Sequence, residues 1–283
     1  MFDLGSLEVA LAGTIFAGQL HFSPVTDSTN TDALEAARAG GAHGSVYFAD
    51  EQRAGRGRGD HVWHSAAGEG LYVSVLFRPP MPAHRLPLLP LAAGLAAADA
   101  IRAVSGLEID LRWPNDLLLS APRTKTSPWG PLSGPRKTGG ILVESKTEAG
   151  EVAFAVVGVG INVHQTTFAS GLATPATSLD LEGRRLIHRQ PLLVSLLKSL
   201  ERETSALLNP TAGEMIPARV EQASTWVRGR KVEVHGPQAC IGVTAGLDEH
   251  GFLLVDTDAG LVRVQTGGIR ATCGGAEAYG TEE

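Results

Sequence analysis

Phe22 to Thr26 reads as a short strand, Ser45 to Ala49 as a β-like alternation, and Leu71 to Phe77 is almost wholly apolar. Each has the length of a β-strand, the third ended by Pro79-Pro80. Between the first two, Ser28 is placed to cap a helix over Thr31 to Ala39 that stops at Gly40-Gly41. An Ala-rich helix is expected over Leu91 to Val104, then a strand from Glu108 to Arg112 that halts at Trp113-Pro114. Gly140 to Ser145 and Val152 to Val159 read as strands that can form a hairpin around Thr147 to Gly150. Pro191 to Leu208 has the spacing of an amphipathic helix, and Ala212 to Trp226 contains another, broken near Pro217. The first twenty residues show no period and are expected to be irregular and loosely packed. Ser120 to Arg136, rich in Pro, Ser, Thr and Gly, reads as a mobile loop.

The texture changes after Trp226. Lys231 to His235, Gly242 to Leu247, Phe252 to Asp256 and Leu261 to Gln265 are short strands joined by Gly or Asp turns, the pattern of a small β-barrel. A boundary near Thr225 follows, giving a larger unit over 1–224 and a smaller one over 225–283.

Composition narrows the class. A hydrophobic fraction of 43% supports a sizeable core, and 19% charged residues argues against disorder. The net charge of −6 argues against a general nucleic-acid surface. Two cysteines, Cys240 and Cys273, make neither a disulfide framework nor a zinc cluster, and fit a reducing cytoplasm. Asp3 and Glu8 fall where a secretory signal would need positive and apolar residues. Leu86 to Val104 is the most apolar stretch, but Pro87, Pro90, Asp99 and Arg102 mark it as a core helix and not a membrane span. A cytoplasmic protein without a DNA or membrane partner is expected.

Four segments carry candidate chemistry. Asp27-Ser28-Thr29-Asn30 alone is an ordinary helix start. Gln52, followed by Gly55-Arg56-Gly57-Arg58, combines glycines that admit a ligand to the backbone with forked cationic donors for phosphate or carboxylate. By itself such a run is usually a solvated loop. Arg112-Trp113-Pro114-Asn115-Asp116 sets polar groups at a strand end, where an Asn-Asp turn is the ordinary reading. Lys137-Thr138-Gly139-Gly140-Ile141-Leu142-Val143-Glu144, with Gly158-Val159-Gly160-Ile161-Asn162 after it, puts a lysine before a glycine-started strand. Close strand packing explains such glycines equally well.

In their order and spacing, from about Thr26 to Val163, these segments resemble the biotin protein ligase family. The resemblance implies an α+β fold: a mixed β-sheet flanked by helices, followed by a small SH3-like β-barrel. Because the first motif begins at Asp27, the similarity is to the short form without an N-terminal DNA-binding domain. It implies activation of biotin by ATP with Mg2+, and transfer of biotin from biotinyl-5'-AMP to a lysine of a biotin carboxyl carrier domain, as in acetyl-CoA carboxylase. Ser28, Thr29, Asn30, Gln52, Arg56, Gly57, Arg58, Lys137, Gly140 and Gly158 would bind biotin. Arg56, Arg58, Trp63, Arg112, Asn115 and Asn162 would contact ATP, and Lys137, Arg58 and Asp116 would act in catalysis. Asp116 would help hold magnesium or orient the carrier lysine, although no protein-held metal cluster is expected. The Gly/Arg loop would order over the ligand.

Asp60 and His61 depart from the glycine and arginine usual in that loop, and Arg112 replaces the commoner lysine. Two alternatives stay open: a lipoate or octanoate transferase of related fold, and a biotin-sensing binding protein without ligase activity. An exposed strand edge could pair two copies into a homodimer or dock the carrier.

Overall fold

The N-terminal segment is packed and not loose, and it is helical over Leu4–Ala10, while residues 11–19 form the irregular turns expected. In the computed structural model, which describes residues 2–59, 61–120 and 134–272, helix α1 (Leu4–Ala10) is capped by Asp3, whose carboxylate accepts from the Ser6 amide at 3.3 Å. Leu7, Leu11 and Phe16 are fully buried. Seven helical residues are too few to display a period, so this anchoring was invisible in the pattern.

Strand β1 (Leu20–Thr26) leads through Ser28 into α2 (Thr29–Arg38) and then into β2 (Ser45–Gln52) and β3 (Gly70–Phe77). Ser28 occupies the cap position with extended backbone, but its side chain makes no cap bond. Helix α3 (Leu88–Ser105) ends where Gly106 turns left-handed at φ 75°, a conformation that glycine adopts without Cβ strain. Its length and composition would suffice to cross a membrane, yet two thirds of it is buried inside the fold, as a core helix. Short strands β4 (Asp110–Arg112) and β5 (Asp116–Ser120) follow, the second unrecognised in the pattern. The expected loop from Ser120 to Arg136 has strand at both ends, and 121–133 lies outside the described residues. The expected hairpin is present and longer than read: β6 (Pro135–Glu148) and β7 (Glu151–Asn162) turn at Ala149-Gly150.

Helix α4 (Leu179–Gly183) precedes α5 (Arg189–Leu208), α6 (Pro210–Glu214) and α7 (Ile216–Gln222). The interruption falls at Met215, and Pro217 opens α7 instead of breaking a helix. In a first turn its missing N–H would have had no partner anyway. Five strands follow among the described residues: β8 (Arg228–His235), β9 (Cys240–Leu247), β10 (Leu253–Thr257), β11 (Gly260–Val264) and β12 (Gly268–Ala271). The last was missed, since four residues with one buried apolar side chain, Ile269, give almost no signal.

The larger sheet runs β1-β2-β3-β7-β6-β5-β4, with β1 parallel to β2 and the remaining neighbours antiparallel. The smaller runs β11-β10-β9-β8-β12, all antiparallel, in keeping with an SH3-like unit. On one face of the larger sheet, Val73, Val75, Val157, Val159 and Ile141 meet α3 and α5 in the main core. On the other face α2 covers only one end, where Ala33 and Ala37 pack on Leu76, Phe154 and Val156. The rest of that face is left open.

Candidate active site

The open face becomes a cleft because three of its paired positions are glycine. Tyr72 pairs with Gly160 and Ser74 with Gly158 across β3 and β7. Gly160 pairs with Gly140, Gly158 with Leu142, and Gly140 with Asp116. With a period of two, all of these positions share the face that carries Leu76 and Val156. The floor is therefore bare backbone where Gly140, Gly158 and Gly160 sit, between the side chains of Ser74 and Asp116. A Cβ on Gly158 would lie 2.1 Å from Asn30 Oδ1, and one on Gly160 would lie 2.7 Å from the Trp63 ring. The cleft above this floor has a volume of about 1010 Å3.

At the α2 end the wall is polar and internally bonded. Ser28, Thr29 and Asn30 are buried at the first turn of α2 and line the cleft. Gln52 accepts the Thr29 amide at 2.9 Å and donates to Ser65 Oγ at 2.8 Å. Thr29 Oγ1 meets Ser74 Oγ at 2.8 Å, and Ser74 donates to Asn30 Oδ1 at 2.6 Å. Asn30 Nδ2 donates to Glu144 at 2.9 Å.

A cation cluster stands further along the floor. Lys137 Nζ is 2.5 Å from Asp116 Oδ1 and 5.5 Å from the centre of the Trp63 ring. Arg112 donates to Asp116 Oδ2 at 3.0 and 2.5 Å and to Thr174 at 2.8 Å, and stacks on Trp226. Burial alone would raise the Asp116 carboxyl, but Lys137 and Arg112 hold it below the ordinary carboxylate range. Burial lowers the Arg58 guanidinium, with Asp116 pulling the other way. Two cations thus grip one carboxylate and a third, Arg58, feels its charge from nearby, so the region favours anions.

The Gly/Arg segment is a narrow hairpin over the cleft. Trp63 donates its amide to Gly55 at 2.8 Å, Gly57 donates to His61 at 2.6 Å, and Arg56 bridges Val62. Arg58 crosses to the smaller sheet, donating to Thr266 Oγ1 at 2.7 Å and to the Gly267 carbonyl. Arg56 points elsewhere, forking onto Glu144 at 3.1 and 2.6 Å. Its charge is neutralised in place, unlike the free phosphate ligand that the bare motif suggests. Asp60 lies outside the described residues.

Every expected site residue lines this one cleft: Ser28, Thr29, Asn30, Gln52, Arg56, Gly57, Arg58, Trp63, Arg112, Asn115, Asp116, Lys137, Gly140, Gly158 and Asn162. The two asparagines beyond α2 are committed to backbone, Asn115 to the Ile141 carbonyl at 2.9 Å and Asn162 to the Thr177 carbonyl at 3.0 Å. Sequence reasoning passed over Ser74, Tyr72, Gly160, segment 167–176, and a wall from the smaller sheet that includes His235 and Arg270. Ser74 was detectable as the one small polar residue inside an apolar strand, and Gly160 stood within a motif already singled out. The far wall carried no signal.

Among the described residues no three His, Cys, Asp or Glu side chains gather to hold a metal. Asp116 has Lys137 on Oδ1 and Arg112 on Oδ2. This donor set does not fit a protein-held magnesium ion. Magnesium coordinated to nucleotide phosphates needs no such cage.

Comparison with known proteins places this geometry. Residues 22–162 match the family described as "Biotin/lipoate A/B protein ligase family". The chain is 30% identical over 271 residues to the bifunctional ligase/repressor BirA of Bacillus subtilis, covering 93% of this chain and 77% of the relative. It is 32% identical over 257 residues to the biotin–[acetyl-CoA-carboxylase] ligase of Mycobacterium tuberculosis, covering 89% and 88%. The biotin protein ligase from Aquifex aeolicus solved in complex with biotin and ATP superposes with a TM-score of 0.72 at 25% identity, covering 89% of this chain and 97% of that one.

Proposed function

The chain belongs to the biotin/lipoate A/B protein ligase family, among its biotin protein ligases, and on that premise we propose that it joins biotin to a carrier lysine through biotinyl-5'-AMP. The observation that carries this reading is the polarity of the cleft. Hydrogen-bonding side chains stand at one end, cations at the other, with a floor of backbone between them. A molecule with a cyclic urea at one end and a carboxylate at the other fits that gradient. The dithiolane of lipoate would leave Thr29, Asn30 and Ser74 without ligand partners, which disfavours the sister activity.

Ser28, Thr29, Asn30 and Gln52 would receive the ureido ring, with Gly140 and Gly158 beneath the ligand. A biotin carboxylate oxygen then attacks the α-phosphorus of ATP, a P–O bond forms, and the bond to the pyrophosphate leaving group breaks. The reactants are both anionic. Lys137 and Arg58 would offset their repulsion and the charge growing on the phosphoryl oxygens. Arg112 would act through Asp116, which it holds ionised beside Lys137. Trp63, Asn115 and Asn162 belong with the nucleotide, and magnesium would arrive on its phosphates as part of the substrate. Gly57 and the hairpin around it would shield the mixed anhydride from water. In the second step the neutral amine of the carrier lysine attacks the biotinyl carbonyl and AMP leaves. The relative from M. tuberculosis names acetyl-CoA carboxylase, so a carrier domain of that enzyme is the proposed acceptor in the cytoplasm.

The test is an incubation of the protein with biotin, Mg-ATP and an apo carrier domain, followed by the carrier's mass. A gain of one biotinyl group, absent with Lys137→Ala, supports the reading. A gain with lipoate or octanoate only, or biotin binding without any gain, overturns it.

A further inference from the structure

Glu144 takes no part in the steps above, yet it sits behind the polar end of the cleft. On β6 it pairs with Val156 and points to the α2 side. An ionised carboxylate only accepts hydrogen bonds. Its Oε2 receives Asn30 Nδ2 at 2.9 Å and Arg56 at 2.6 Å, and its Oε1 receives Arg56 at 3.1 Å.

That fixes the rest of the chain. With its amide nitrogen turned to Glu144, Asn30 can present only its carbonyl to Ser74, which donates to it at 2.6 Å. A hydroxyl has one proton, and that of Ser74 is then committed. The 2.8 Å contact between Ser74 and Thr29 must therefore have Thr29 as donor. The 3.1 Å approach of Thr29 Oγ1 to Gln52 Oε1 is the longer of its two contacts, and a proton shared with it would still stay inside the protein. Both hydroxyl protons stay inside the protein, and toward the cleft these oxygens offer lone pairs. Asn30 cannot slide out of this arrangement downward, because it rests directly on Gly158.

We propose that Glu144 is a positioning residue that sets the donor-to-acceptor direction along Thr29, Ser74 and Asn30, and thereby makes this end of the cleft select ligands bearing N–H donors. The inference rests on the biotin reading, since a cyclic urea presents two such donors. A carboxylate that only anchored the hairpin through Arg56 would have no effect on this selection.

The experiment measures adenylation of biotin and of a biotin methylated at one ureido nitrogen, by pyrophosphate release, in wild type, Glu144→Gln and Arg56→Gln. A glutamine can donate as well as accept, so Asn30 is free to turn over. Glu144→Gln is expected to raise the biotin KM about tenfold with little change in kcat, and to lower the preference for biotin over its methylated analogue by about tenfold. Arg56→Gln keeps the bond between Asn30 and Glu144, so its preference should match wild type whatever its rate. An unchanged preference in Glu144→Gln, or an equal loss in Arg56→Gln, overturns the proposal. If Glu144→Gln does not fold by thermal melting, Ser74→Ala cuts the same chain, and a retained preference there overturns it equally. A wild type that adenylates no biotin removes the parent reading and this inference together. That result is distinct from one in which biotin turns over with an unaltered ratio.

Discussion

Lys137 places its ammonium 2.5 Å from Asp116 Oδ1, and Arg112 grips the other oxygen of the same carboxylate. The lysine is held by charge from one side and by the Trp63 ring from another. Lys137→Ala is expected to reduce adenylate formation a hundredfold or more, about 3 kcal/mol of transition-state stabilisation. Lys137→Arg should recover little, because a planar fork cannot replace a point charge packed against Gly140. Pyrophosphate release under saturating biotin reads both variants, and an active Lys137→Ala enzyme would remove Lys137 from the mechanism.

The same carboxylate gives a pH signature. Asp116 is held below its ordinary value of 3.8 in the folded protein, so the unfolded chain binds its proton more readily. The stability from this group is fully present above the unfolded pKa and is lost as pH falls through the lowered folded one. The difference in unfolding free energy between wild type and Asp116→Asn should stay constant from neutrality down to about pH 4, then shrink. Urea titrations at stepped pH measure it. A gap that widens in acid contradicts the assignment.

Gly158 has no room for a methyl group, since the Cβ would fall 2.1 Å from Asn30 Oδ1. Gly158→Ala must displace Asn30 and distort the polar wall while leaving the strand intact. Biotin affinity by calorimetry should fall about tenfold or more, and the overpacking should lower the melting temperature by a few degrees. Wild-type affinity in this variant would mean that Asn30 is not part of the biotin wall.

Far from the cleft, Glu203 is 1% exposed and is forked by Arg219 at 2.6 and 2.9 Å. Glu203→Ala removes the shared partner of Arg219 and Arg202, whose guanidiniums are partly exposed and can turn to water, and should cost about 1–2 kcal/mol of stability. Below the lowered melting temperature its kcat/KM for biotin should equal that of wild type. A loss of turnover without a loss of stability would connect α5 to the chemistry.

How much of this was legible in the sequence follows from range. Strands with strong period or composition, such as Gly70–Phe77 and Glu151–Asn162, were readable because burial writes itself locally. The motifs from Ser28 to Asn162 were readable because ligand chemistry restricts residue type and spacing. Helix α1, strand β5 and strand β12 were not, being seven, five and four residues long and stabilised by what they touch. The partner choices were equally silent. Nothing in Gly-Arg-Gly-Arg says that Arg56 turns to Glu144 while Arg58 crosses to Thr266, positions 88 and 208 residues away.

That crossing has a temporal meaning. The polar wall at the α2 end is drawn from residues 28–74 and from β6 and β7, all made before the smaller sheet. The opposite wall comes from His235 and from Thr266 to Arg270. Since domains fold as they emerge, a growing chain would shape a place for the vitamin before it can enclose a nucleotide. The reactive mixed anhydride would have no shelter until β12 has left the ribosome and Arg58 has found its hold.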